Sequence, residues 1–228
     1  LGKIYRTRAY EIPEGSRTAK GKAILNFLNL GAEEKINTIL PLTKDTLASK
    51  KYLILVTKNG IIKKTDIDAF HAVKKSGLIA VKLKGADALV SARISTGKED
   101  VILVTYGGQS IRFSELQVRP MSRNSSGTKG MRLKGKDAIV SFEMITPSDK
   151  GDSKSRLIII SENGYTKISG AKEYRVQNRG GGGIKVAKVT DKTGGIAKIL
   201  AVPPEAEDFI VISLQGQVIR IKIAAIPE

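Results

Sequence analysis

The residues whose types could do covalent or acid–base chemistry have no spacing that brings them together as a catalytic set. The one histidine, His71, stands at the end of a predicted strand beside Lys74 and Lys75, with no recurring acid or nucleophile to pair with it. Asp66 and Asp68 alternate along the same strand and have the spacing of a carboxylate pair able to exchange protons. Equivalent places elsewhere in the sequence hold Ser114, Glu115 or Gly170, so the pair reads instead as solubilising, strand-end residues. The absence of cysteine excludes disulfides, thiolate zinc sites and cysteine nucleophiles. No Gly-x-x-x-x-Gly-Lys-Ser/Thr loop occurs, and Gly180–Gly183 lacks the strand-to-helix setting that a dinucleotide fingerprint requires. The expectation is a domain with no catalytic residues, no metal ligands and no cofactor.

Binding chemistry is abundant by comparison. Thirty-nine Lys and Arg stand against 22 Asp and Glu, a net charge of +17, and the cations recur along the chain instead of forming one tail. Such a surface attracts a polyanion by Coulomb force and by release of its condensed counterions, which suits nucleic acid first and anionic membrane second. Four loops carry the clearest sets: Arg17, Lys20 and Lys22; Lys74 and Lys75; Arg119, Arg123, Lys129 and Arg132; Arg175, Arg179 and Lys185. Ser16, Thr18, Ser76, Ser122, Ser125, Ser126 and Thr128 lie among them. Hydroxyls, and glycine N–H groups that let phosphate oxygens come close, complete a backbone-binding chemistry. Only 5% of residues are aromatic and none is Trp, which argues against the base-stacking platforms of single-strand binders. Duplex DNA held through its sugar-phosphate backbone is therefore the expected partner, with preference set by how easily the duplex bends.

A repeat about every 50 residues must position these loops. Four-residue apolar blocks begin at Leu53, Val101, Leu157 and Phe209, and each is followed at the same offset by Gly60, Gly108, Gly164 or Gly216, with a fifth copy at Gly2. β-branched and basic residues follow each glycine, as in Gly60-Ile61-Ile62-Lys63-Lys64 and Gly108-Gln109-Ser110-Ile111-Arg112. The pattern is a β-hairpin turned at glycine, and Asn59-Gly60 and Asn163-Gly164 suit a tight turn best. Each basic loop then ends at Gly21, Gly77, Gly130 or Gly183. A short strand follows (Ile24 to Leu28, Leu78 to Leu83, Met131 to Leu133, Ile184 to Val189), then a last apolar strand at 34–40, 88–94, 138–145 or 196–202. Segments 43–51 and 146–155 read as exposed connectors. Helical turns are plausible only at Thr65–Ala72 and Ser114–Val118, where continuation of the strand is the preferred reading.

Four strands per unit at this period make an all-β fold, a propeller-like β-pinwheel of about five to six four-stranded blades. Its units run 1–43, 51–96, 99–146, 155–203 and a partial 207–228 within a single domain. The first unit lacks its leading strand and the last stops after two strands, so truncation at one or both ends, or completion of one end by the other, are both compatible with the pattern. No apolar run approaches the roughly 20 residues that span a bilayer.

Tyr10-Glu11-Ile12-Pro13-Glu14-Gly15-Ser16-Arg17-Thr18-Ala19-Lys20-Gly21 resembles the second blade of the C-terminal domain of bacterial DNA gyrase A. Val118-Arg119-Pro120-Met121-Ser122-Arg123-Asn124, with Gly127 and Gly130, resembles the fourth, and Tyr174-Arg175-Val176-Gln177 onward the fifth. The resemblance implies a pinwheel whose basic perimeter wraps DNA and presents a crossing of fixed handedness for ATP-driven supercoiling. It also implies cytoplasmic partners, the breakage-reunion core of a gyrase A dimer and the ATPase, gyrase B. That family's box, Gln-Arg-Arg-Gly-Gly-Lys/Arg-Gly, lies in its first blade, to which the resemblance matches no segment of the sequence given. The nearest string is Gln177-Asn178-Arg179-Gly180-Gly181-Gly182-Gly183, with two cations replaced. The homologous C-terminal DNA-binding domain of topoisomerase IV is the alternative within the same class. A protein-interaction scaffold is the alternative outside it, and the net charge of +17 argues against that.

Overall fold

The computed structural model describes residues 2–16, 18–31, 34–44, 48, 51–147, 155–203, 205–213 and 215–227. The strands are β1 (Lys3–Ile4), β2 (Tyr52–Thr57), β3 (Ile61–Asp66), β4 (Leu78–Ile79), β5 (Leu89–Ser95), β6 (Asp100–Thr105), β7 (Gln109–Ser114) and β8 (Thr128–Lys129). They continue with β9 (Ile139–Ile145), β10 (Arg156–Ser161), β11 (Thr166–Gly170), β12 (Ile184–Lys185), β13 (Ile196–Val202), β14 (Asp208–Ile212) and β15 (Val218–Lys222). All pairings between these strands are antiparallel.

Four hairpins, β2–β3, β6–β7, β10–β11 and β14–β15, turn in the same way. The carbonyls of Thr57, Thr105, Ser161 and Ser213 accept the N–H of Gly60, Gly108, Gly164 and Gly216 at 2.9 to 3.1 Å. Their hydroxyl oxygens accept the N–H of the residue after the glycine, Ile61, Gln109, Tyr165 and Gln217, at 3.1 to 3.3 Å. The four glycines have φ between 78° and 81°, and no other residue type among those described has positive φ. Asn59 and Asn163 are therefore not the left-handed residues. The turn is the three-residue kind that ends on a left-handed glycine, not the two-residue kind that Asn-Gly suggested. A hydroxyl residue three positions before each glycine was the legible signal for it.

The sheets do not coincide with the repeats. One runs β5-β2-β3-β8 and the next β12-β7-β6-β9. Three strands of each come from one repeat and the fourth, β8 or β12, crosses over from the next. In the same way β4 of the second repeat pairs with β1 of the first. Each exchanged strand is anchored at the turn glycine of the sheet it joins. Gly2 O accepts N–H from Ala80 and Val81, Gly60 O from Gly130 and Met131, and Gly108 O from Val186 and Ala187. The expectation that each repeat folds back on itself into four strands is corrected accordingly. The exchanged strand of the third repeat is Thr128–Lys129, ahead of the expected Met131–Leu133, and its left-handed glycine is Gly127 (φ 87°), not Gly130. In the first repeat, Ile24–Asn26 is a short 3-10 turn and 34–40 pairs in no strand among the described residues. Most of the two connectors lies outside the described residues. The preferred reading of Thr65–Ala72 and Ser114–Val118 is corrected too. Both segments leave the strand into 3-10 turns, Ile67–Phe70 and Glu115–Gln117, capped by Asp66 accepting from Asp68 N–H at 2.9 Å and Ser114 from Leu116 N–H at 3.3 Å.

Stacking explains the uninterrupted apolar blocks. Leu53 and Leu55 enter a cluster with Phe70 and Val81, while Ile54 and Val56 face Val101, Leu103, Phe113 and Phe142 of the following sheet. Ile102 and Val104 face onward to Leu157 and Ile159. A sheet sandwiched between neighbours needs apolar residues on both faces, so alternation disappears. The edge strands β5 and β9, and β9 and β13, contact one another and so form the inner edge. Arg93 and Glu143 pair across it at 2.6 Å. The exchanged strands thereby occupy the opposite, outer edge.

Candidate nucleic-acid interface

Strand exchange decides where the basic loops lie. After leaving β7, the chain runs beside β3 of the preceding sheet: Pro120 forms a parallel bridge with Lys64 and Met121 N–H donates to Lys64 O at 2.8 Å. After β11 it does the same beside β7, with Val176 bridging Arg112 and Gln177 N–H donating to Arg112 O at 2.7 Å. The loops 117–129 and 174–183 therefore lie along the outer edges of the sheets before their own.

Of the residues assigned from sequence, Lys20, Lys22, Lys74, Lys75, Arg119, Lys129, Arg132, Arg175 and Lys185 are exposed, and Arg119, Lys129 and Arg175 lie in the two loops just described. Arg17 lies outside the described residues. Lys75 approaches Glu11 at 3.8 Å, an exposed pair that salt would screen. Arg123 is half-buried. Arg179 is engaged internally: its guanidinium donates to Gln117 O at 3.2 Å, to Thr128 Oγ1 at 2.9 Å and to Lys129 O. The glycine-rich string 177–183 does curl, with φ of 83° at Gly180 and 77° at Gly183. Three of its N–H groups, those of Gln177, Arg179 and Gly180, are engaged within the protein. Arg179 N–H donates to the Gln117 side chain at 2.8 Å and Gly180 N–H to Gly130 O at 2.7 Å.

Sequence reasoning found only Arg132 of a second basic row. Lys82-Leu83-Lys84-Gly85 and Arg132-Leu133-Lys134-Gly135-Lys136 repeat at equivalent places after the exchanged strands, and Lys188 occupies the position in the fourth repeat. Lys82, Lys84, Lys134, Lys136 and Lys188 are all exposed. Gly85 and Gly135 are left-handed with open space around them, at φ 56° and 55°. The two rows interleave: Lys82 N–H donates to Ser125 O at 3.1 Å, and Arg132 N–H to Gly181 O at 2.9 Å. The recurrence of Lys/Arg-Leu-Lys-Gly was legible and would have located them.

Other cations that the repeat makes conspicuous are structural. Lys64 pairs with Glu115 at 3.3 Å and lies 4.2 Å from the centre of the Tyr52 ring. Burial, then the neighbouring Glu99, pushes the Glu115 carboxyl above its ordinary pKa. Arg112 pairs with Asp100 at 2.8 Å and donates to the carbonyls of Ala171 and Tyr174 at 2.9 and 3.3 Å. Lys63 is buried and donates to three carbonyls, of Ala80, Arg123 and Ser125, at 2.6, 2.5 and 3.1 Å. Burial lowers its pKa to about 8.

The family model of the DNA gyrase C-terminal domain, a β-propeller, matches residues 1–43, 51–96, 99–146, 155–203 and 207–228. The DNA gyrase A protein of Staphylococcus epidermidis is 37% identical over 97% of this chain, and the chain spans 24% of that relative's length. A solved structure of a DNA gyrase A C-terminal domain is 31% identical with a TM-score of 0.82, covering 100% of this chain and 71% of the other. A C-terminal domain of DNA topoisomerase IV superposes with a TM-score of 0.83 at 24% identity, over 98% of this chain and 68% of the other, which speaks to the fold alone. A five-copy repeat matched throughout, by sequence and by fold, places this chain in the family of DNA gyrase C-terminal domains.

Proposed function

We propose that this domain binds duplex DNA through its phosphates and bends it along the outer edge, without reading sequence and without catalysing a reaction itself. The observation that carries the reading is the interleaving of two basic rows by strand exchange. Lys82 abuts the loop bearing Arg119 and Lys129, and Arg132 abuts the loop bearing Arg175, so cations from successive sheets follow one another along one edge. Smoothly curving 20 to 30 base pairs by 40 to 90° costs on the order of 1 to 6 kcal/mol, which several spaced phosphate contacts offset. The DNA-binding residues proposed are Lys20, Lys22, Lys74, Lys75, Arg119, Lys129, Arg132, Arg175 and Lys185, joined by Lys82, Lys84, Lys134, Lys136 and Lys188. Arg17 and Arg123 remain candidates from the sequence. Within a cytoplasmic parent gyrase, the bend would present a DNA crossing to the breakage-reunion core of the gyrase A dimer while gyrase B hydrolyses ATP.

Nicked circular plasmid ligated in the presence of the domain, then freed of protein, tests this directly. A shift in linking number supports chiral wrapping. An unchanged linking number with retarded DNA mobility leaves bending without a wrap and points to the topoisomerase IV alternative. Absence of binding at low salt would refute the proposal.

A further inference from the structure

Lys63 and Lys64 are neighbours in β3, yet among the described residues only Lys64 has a carboxylate partner. Lys63 has 1% of its surface exposed, and a buried ammonium is expensive unless its protons are accepted. Its three acceptors are Ala80 O, from the segment just past β4, and Arg123 O and Ser125 O, from the basic loop of the next repeat. Equivalent positions in other repeats hold Tyr5, Ile111, Lys167 and Ile219; Lys167 is only half-buried, and among the described residues Lys63 alone of the five is buried with an ammonium on loop carbonyls.

Pulling two alternate carbonyls toward one ammonium has a geometric consequence. A trans peptide is planar, with C=O and N–H directed oppositely. The peptides joining Arg123 to Asn124 and Ser125 to Ser126 both turn their oxygens in toward Lys63, so both turn their N–H groups away from it. Ser125's own N–H donates to Ser122 O at 3.1 Å, closing the turn between them. The N–H groups of Asn124 and Ser126 make no hydrogen bond within the protein among the described residues. Asn124 is exposed and Ser126 half-buried. From the other side the loop is gripped by Arg179, through Gln117 O, Thr128 Oγ1 and Lys129 O.

We infer that Asn124 and Ser126 form a backbone phosphate site for duplex DNA, held ready by Lys63 as a positioning residue that never touches the ligand. The site rests on the DNA-binding reading above. It differs from the exposed cations in kind: two parallel N–H dipoles fix a phosphate's position, whereas lysine side chains supply charge without geometry.

Amide hydrogen exchange of the wild-type domain, free and saturated with a duplex of about 30 base pairs, is the direct test. Exchange at Asn124 and Ser126 is expected to slow on binding. Lys63→Met keeps the stem and removes the acceptor-directed charge. It is expected to weaken binding about tenfold, the scale of losing hydrogen bonds to a charged group, and to abolish DNA protection at those two amides. Binding by the wild-type domain with both amides unmoved overturns the site and leaves the DNA reading standing. No binding by the wild type overturns both. Should Lys63→Met not fold, the wild-type exchange result decides alone.

Discussion

A glycine at the hairpin turn meets two demands that separate cleanly between copies. At Gly60 the backbone is left-handed, and a Cβ would lie 2.7 Å from Met131 O, the carbonyl beside the exchanged strand. At Gly164 the backbone is equally left-handed, but nothing lies within 4 Å of the same position. Gly164→Val should therefore cost roughly 1 to 2 kcal/mol from φ alone, and Gly60→Val distinctly more, because it also displaces β8. Thermal melting of the two variants checks this, and equal losses would mean that the exchanged strand is not anchored at the turn. Lys63 offers a second test at this scale. Its folded pKa of about 8 lies below the ordinary lysine value, so between those pH values the unfolded chain holds a proton that the folded chain has released. Stability then rises with pH through that window. Affinity for DNA should move the opposite way, since the neutral amine draws the loop carbonyls less strongly. Melting and binding measured together from pH 7 to 9.5 should diverge in the wild type and run flat in Lys63→Met.

The hairpins show how one sequence pattern acquires different energetic weight from its neighbours. Ile102 and Ile210 hold the same place in their apolar blocks, yet Ile102 is 0% exposed between two sheets and Ile210 is 62% exposed on β14. Ile102→Ala should cost about 2 to 5 kcal/mol, whereas Ile210→Ala should stay within about 0.5 kcal/mol, as read by denaturant midpoint. A comparable loss at Ile210 would show that its face is covered in solution. The same comparison explains which strands were legible. β5, β9 and β13 lie within one residue of the segments expected from apolar runs. The exchanged strands β4, β8 and β12 have two residues each, too few for any periodicity. They exist because the turn glycine of the adjacent sheet offers a carbonyl with room around it. The 3-10 turns after β3 and β7 were read as strand for a related reason: their capping residues Asp66 and Ser114 differ in type, so the repeat concealed their shared role.

For the molecule as a whole, binding through phosphates predicts uniformity. Lys20, Arg119, Arg132 and Arg175, all exposed, changed together to Glu should weaken binding to every duplex alike and reduce the slope of log affinity against log salt by roughly 4. Fluorescence anisotropy on two unrelated duplexes across a salt series measures both. An effect confined to one sequence would contradict backbone recognition. Arg179→Glu should behave differently, lowering the melting temperature along with affinity, because its guanidinium braces the loop of the preceding repeat.

The sequence by itself determined the all-β class, the repeat and the turn glycines. Each rests on local chemistry: apolar blocks that must be buried, positive φ that glycine tolerates, and charge that needs solvent or a counterion. It also located most of the exposed loop cations. Tertiary structure alone decided which repeat each short strand completes, and hence that the basic loop of one repeat lies against the basic turn of another. It alone separated Lys63, Lys64, Arg112 and Arg179, which face carbonyls and carboxylates, from cations left to solvent. A lysine's type says that it carries charge; whether that charge meets a phosphate or a buried carbonyl depends on what the exchanged strand brings beside it.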